Sequence, residues 1–170
     1  MNFRQIKLHL LSICISFIAI QFIVNISQAQ GIFDREAAPD EQAFVLPAAP
    51  ALDKLLAFKV SGSTLQFGID AASVTLGKDD RVLRYTLVVT NASGGRNVSY
   101  EGVRCGAAER RVYAFGKPDG GWSNATGSYN DWQPLTRGVV PVYQIELARE
   151  LLCDVRAPNQ PKEILKKLGG

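Results

Sequence analysis

The sequence predicts an α+β domain: an antiparallel sheet of four to five strands, a C-terminal amphipathic helix packed on one face, and one disulfide. Three observations carry that expectation. Runs of alternating apolar residues, separated by glycine-rich turns, fill residues 65–115. Near residue 142 the hydrophobic period lengthens from that of a strand to that of a helix. Beyond the first 29 residues only two cysteines remain, Cys105 at the end of a strand-like run and Cys153 at the end of the helical one.

The N-terminus is read as an export signal over residues 1–29. Arg4, Lys7 and His9 precede an apolar run, Leu10 to Val24, and Ser27 and Ala29 stand where signal peptidase requires small residues, so the cut is placed between Ala29 and Gln30. The competing reading, a retained anchor, asks for about 20 apolar residues. Leu10 to Val24 is shorter than that and contains Gln21. No small residue directly precedes Cys14, which speaks against lipidation. Removing Arg4 and Lys7 lowers the 19 basic residues to 17 against 16 acidic ones, a net charge near +1. The remaining chain has no histidine, which excludes Ser-His-Asp and Cys-His mechanisms and the usual imidazole zinc site. Its near-neutral charge is a poor match for phosphate-backbone binding. Neither a metal, a cofactor nor nucleic acid is expected, and no stable membrane span after cleavage.

Residues 30–52 carry Asp34, Glu36, Asp40 and Glu41, then Pro47 and Pro50, and are expected to form an extended, solvated lead-in. A single α+β domain is expected over residues 53–157. Leu65 to Ile69 alternates like a half-buried strand, and Val82 to Thr90 is the clearest strand, with Leu83, Tyr85, Leu87 and Val89 on one face. Asn91 to Gly95 reads as a hairpin loop into a strand from Val98 to Cys105. Arg111 to Phe115 follows, closed by the turn residues Gly116 to Gly121. From Val142 to Cys153, Tyr143, Leu147 and Leu151 recur every fourth residue, with Ile145, Ala148 and Leu152 beside them and Pro141 in the first turn. Residues 158–170 are read as a tail, either a short helix or a basic extension. In an exported protein Cys105 and Cys153 are most simply one disulfide. The loop it closes makes it worth about 4 kcal/mol in the chain-entropy account.

Six residues form a candidate ligand surface: Tyr100, Glu101, Arg104, Trp122, Tyr129 and Trp132. Alternation places Glu101 with Val103 and Cys105, and Tyr100 and Arg104 on the other face. A partly buried Glu101 either acts as a general acid or is satisfied by an arginine or backbone donors, and the latter is the commoner role. Arg104 has the planar fork that grips an anion. Trp122, Tyr129 and Trp132 lie in a Gly/Asn/Ser-rich stretch where loop aromatics stack on sugars, with Asp119 and Asp131 as hydrogen-bonding partners or a carboxylate pair. The triplets beginning at Asn91, Asn97 and Asn124 match the glycosylation pattern, relevant only in a eukaryotic secretory pathway.

Leu83-Arg84-Tyr85-Thr86-Leu87-Val88-Val89, Asn97 to Cys105, Tyr113-Ala114-Phe115-Gly116, Trp122, Trp132 and the helix ending at Cys153 together resemble the cryptic neisserial protein-like family. The similarity spans roughly residues 33 to 154. At Leu151-Leu152-Cys153-Asp154 the chain departs from that pattern, which favours aromatics before the cysteine and a proline after it. The resemblance implies export to a Gram-negative envelope, a single domain and the disulfide, and brings no catalytic residue. The expected function is therefore a periplasmic, non-enzymatic binding or envelope-accessory module whose partner is an envelope component or small ligand. The alternative is a carbohydrate-binding protein or carboxylate-based glycan hydrolase using the Trp122/Trp132 region.

Overall fold

Val82 to Thr90, the run with the clearest strand period, becomes the central strand β3 (Leu83–Thr90), and every residue from Leu83 to Val88 in it is buried. A strand with one wet face cannot show that pattern, so both faces of the sheet are covered at its middle. The computed structural model describes residues 39–169. The expected signal segment, 1–29, and the cut between Ala29 and Gln30 lie outside the described residues.

Around β3 the chain runs as an antiparallel meander in sequence order: β1 (Leu56–Phe58), β2 (Gln66–Leu76), β3, β4 (Arg96–Arg104), β5 (Glu109–Gly116) and β6 (Trp122–Asn124). A further strand, β7 (Gln133–Pro134), pairs with the start of β5, whose end pairs with β6. The sheet thus has seven strands where four to five were expected. β1, β6 and β7 are two or three residues long, too short to display a period. β2 continues past Ile69 because Ser73 bridges an irregularity after Asp70: its hydroxyl donates to the Asp70 carbonyl (2.7 Å) and accepts from the Thr86 amide (2.7 Å). The β3–β4 hairpin forms as expected. Asn91 accepts from the Ser93 and Gly95 amides, and Gly94 takes the left-handed conformation (φ 84°).

One face of the sheet holds the apolar core. Ile69, Val74, Leu83, Tyr85, Leu87 and Val103 pack against Leu147, Leu151, Leu152 and Ile164. The expected helix is regular only over α1 (Val142–Leu147), with Pro141 as its N-cap residue rather than inside its first turn. A five-residue π turn, Ala148–Leu152, follows and buries the adjacent Leu151 and Leu152 together. Cys153 then opens β8 (Cys153–Asp154), which pairs with β9 (Ala157–Pro158). The Cys105–Cys153 disulfide is present, with Cα atoms 5.7 Å apart. Of the two readings of the C-terminal residues, the structure has the short helix. α2 (Pro161–Lys167) starts in a Gln160–Glu163 capping box and buries Ile164 completely.

The opposite face is covered by the segment expected to be solvated. Residues 39–50 run extended across it without strand pairing, a strap held almost entirely by side chains. The reason is electrostatic. β3 and β5 present Arg84 and Arg111 on this face, and the acidic strap supplies Glu41. No helix among the described residues is long and apolar enough to cross a membrane.

Candidate functional site

β4 and Cys105, the residue after it, present side chains to two environments. Glu101, Val103 and Cys105 face α1; Tyr100, Gly102 and Arg104 face the strap.

Glu101 is 2% exposed and sealed beneath α1. Its carboxylate accepts from the Ser99 hydroxyl (2.7 Å), the Tyr85 hydroxyl (3.1 Å) and the Gln144 amide (3.4 Å to each oxygen). The expected arginine or backbone donors are replaced by side-chain donors from β3, β4 and α1. This explains why polar Gln144 occupies an inward position of an otherwise apolar helix face. Arg110, on the same face by register, is buried with Nε and Nη1 unpartnered and makes no ion pair with Glu101. Burial, followed by the Glu101 charge, pushes the Tyr85 hydroxyl well above its usual value and the Tyr143 hydroxyl up to about 12. Glu101 therefore acts as the polar anchor of the helix.

The strap face is a cluster of guanidinium groups and rings. Arg84, 4% exposed, donates to Asp80 (2.6 Å) and Glu41 (3.0 Å); Arg111 donates to Glu41 (2.8 Å) and to Asn130 (2.6 Å). The Tyr113 hydroxyl donates to Glu41 in a short hydrogen bond. Burial pushes the Tyr113 hydroxyl well above the usual tyrosine pKa, and the Glu41 hydrogen bond raises it further. Burial also pushes the Asp80 carboxyl up. The Arg84 guanidinium and the Val82 and Gln42 amides outweigh that and hold it below the ordinary carboxylate value. Phe44 lies 4.3 Å from Tyr113 and 6.0 Å from Tyr100, with Arg84 5.1 Å from its ring centre. Arg104 stacks over Trp132 at 4.1 Å and donates to the Pro39 carbonyl. Trp122 donates its indole N–H to the Pro47 carbonyl (2.8 Å).

Of the six candidate residues, Tyr100, Arg104, Trp122 and Trp132 come together on this face. Glu101 lies on the other. Tyr129 stands apart, edge-on to Phe115, whose register partner Ser99 binds Glu101. The expected aromatic triad is therefore divided. Asp119 is exposed at the β5–β6 turn, where the Gly121 amide and Lys117 hold its carboxyl below the ordinary aspartate pKa. Asp131, the other member of the expected carboxylate pair, is exposed next to Trp132, while Glu101 is buried beneath α1. Sequence reasoning missed Glu41, Phe44, Arg84, Arg111 and Tyr113. The available signal was Arg84 interrupting an otherwise apolar strand.

Beside the strap's end is a cavity of about 420 Å³ between the β3–β4 and β5–β6 turns. Pro50, Leu52, Val98 and Trp122 supply apolar wall, and Arg96 and Lys117 supply positive charge. No group of three or more His, Cys, Asp or Glu side chains among the described residues is placed to hold a metal ion.

Fold and site define a class: a disulfide-pinned antiparallel sheet, with helices on one face and a strap closing an arginine-rich face. The family model described as the CNP1-like family matches residues 34–169, and the chain belongs to that family. The match takes in both the strap and α2. No curated protein and no solved structure matches the chain.

Proposed function

We propose that this chain is an exported periplasmic binding module that works without catalysis, its ligand site being the cavity beside Trp122. The observation that carries this reading is the cavity's lining: apolar side chains, one indole and two cations, the make-up of a pocket for a small amphipathic anion. Export is supported by the signal-like composition of residues 1–29 and by a disulfide of the kind that persists in oxidising compartments. Glu101, the candidate acid, serves the helix.

The test is tryptophan fluorescence of the exported, disulfide-bonded protein titrated with amphipathic carboxylates, peptidoglycan fragments and neutral oligosaccharides. Saturable binding of the anions, lost in Arg96→Gln and Lys117→Gln, is expected. Binding of the neutral sugars alone, or their hydrolysis, overturns the reading. Intact mass of the exported protein tests cleavage after Ala29.

A further inference from the structure

The strap ends at the cavity but is anchored elsewhere, and that anchor has the chemistry of a receptor. Glu41 enters a cradle formed by Arg84, Arg111 and the Tyr113 hydroxyl, and Phe44, three residues on, lies against Tyr113 and Tyr100. Two opposed guanidinium groups and a phenol converging on one carboxylate make an oxyanion site with fixed geometry. Its occupant is the chain itself.

Two observations favour exchange of this occupant. The strap forms no strand ladder with the sheet, so its hold rests on a few side chains and isolated backbone contacts. The cradle is also only partly satisfied: the buried Nε–H groups of Arg84 and Arg111 have no acceptor among the described residues. Unmet guanidinium donors under cover favour a ligand bringing more acceptor oxygens than Glu41 alone provides.

We propose that the Arg84–Arg111–Tyr113 cradle is a receptor site for an extended acidic peptide of a partner protein, bearing a carboxylate followed three residues later by an aromatic ring, and that the strap fills it in cis. This goes beyond the cavity reading and uses different residues. Tethering gives Glu41 a high effective concentration, so a peptide in trans competes poorly until the strap is weakened.

The experiment uses the full exported protein and a fluorescently labelled synthetic peptide with the sequence of residues 39–50, followed by anisotropy. The Glu41→Gln/Phe44→Ala chain is expected to bind it at least about tenfold more tightly than the unmodified chain. A peptide carrying Glu41→Gln is expected to lose about tenfold, the worth of a charged hydrogen-bond pair. Arg111→Met in the double variant is expected to abolish the preference for the Glu peptide. The Arg96→Gln change, which tests the cavity, is expected to leave that preference intact. Equal affinity of the two peptides, or no binding to a double variant that keeps its thermal midpoint, overturns the proposal. A peptide-independent dimer of the variant also overturns it, because the strap then passes to a second copy. If the double variant does not fold, Glu41→Gln alone carries the same comparison.

Discussion

Gly102→Ala is the most informative small change, because it adds one methyl group where two parts of the structure meet. A Cβ at this position lies 2.8 Å from two Tyr113 ring carbons and closer still to the Tyr113 hydroxyl. Tyr113 is 5% exposed and cannot simply swing aside. Its hydroxyl is bonded to Glu41 and its ring lies 4.3 Å from Phe44, so moving it dislodges the strap. Overpacking of this kind costs roughly 1–3 kcal/mol. Replacing a strand glycine returns about 0.5–1 kcal/mol through backbone entropy. The net loss is therefore centred on about 1 kcal/mol. Urea unfolding followed by tryptophan fluorescence reads it, with Trp122 reporting the strap directly. Tyr113→Phe removes the nearest atom, so the two substitutions together cost less than their sum. Strict additivity, or a Gly102→Ala chain as stable as the original, refutes the close packing of Gly102, Tyr113 and strap.

Three further outcomes concern α2, the disulfide and the buried tyrosines. Ile164→Ala removes a fully buried side chain of α2 and is expected to cost about 2–5 kcal/mol in urea unfolding; a loss below about 0.5 kcal/mol makes α2 a loose tail after all. Reducing Cys105–Cys153, which spans 48 residues, is expected to cost about 4 kcal/mol, measured from urea midpoints with and without reductant. Tyr85, Tyr113 and Tyr143 hold their protons more tightly folded than unfolded. Their contribution is fully present below pH 10.0, the ordinary tyrosine value, and is lost as pH rises toward about 12, where Tyr143 titrates. Urea midpoints are expected to fall over that interval alongside tyrosinate absorbance, and a flat profile contradicts the burial of these hydroxyls.

The sheet was legible wherever strands were long enough to alternate. Val82 to Thr90 and Val98 to Cys105 announce both their faces, and the alternation of β4 separates Tyr100 from Glu101 correctly. The short strands β1, β6 and β7 left no period to read. The C-terminal helix was visible in its i, i+4 leucines, but neither its π turn nor the burial of Gln144 was. The π turn lets adjacent Leu151 and Leu152 both be buried, and Gln144 is buried because it donates to Glu101, 43 residues away. The largest difference lies at residues 39–50. An acidic, proline-punctuated stretch reads as solvated because its packing partners, Arg84 and Arg111, are 43 and 70 residues from Glu41. Burial of β3 on both faces was foreshadowed by Val88 on the face that Arg84 and Thr86 interrupt, a pattern that needs a cover the local sequence does not name.

Glu41 clasps the strap to the arginine face, and a double-mutant cycle addresses that clasp directly. Unfolding free energies of the original chain, Glu41→Gln, Arg111→Met and the combination isolate the pairwise energy. A half-buried, charge-assisted pair 2.8 Å apart predicts a favourable coupling of about 1–2 kcal/mol. Additive losses, within about 0.3 kcal/mol, would mean that Glu41 does not rest on Arg111 in solution and that the face beneath it is open.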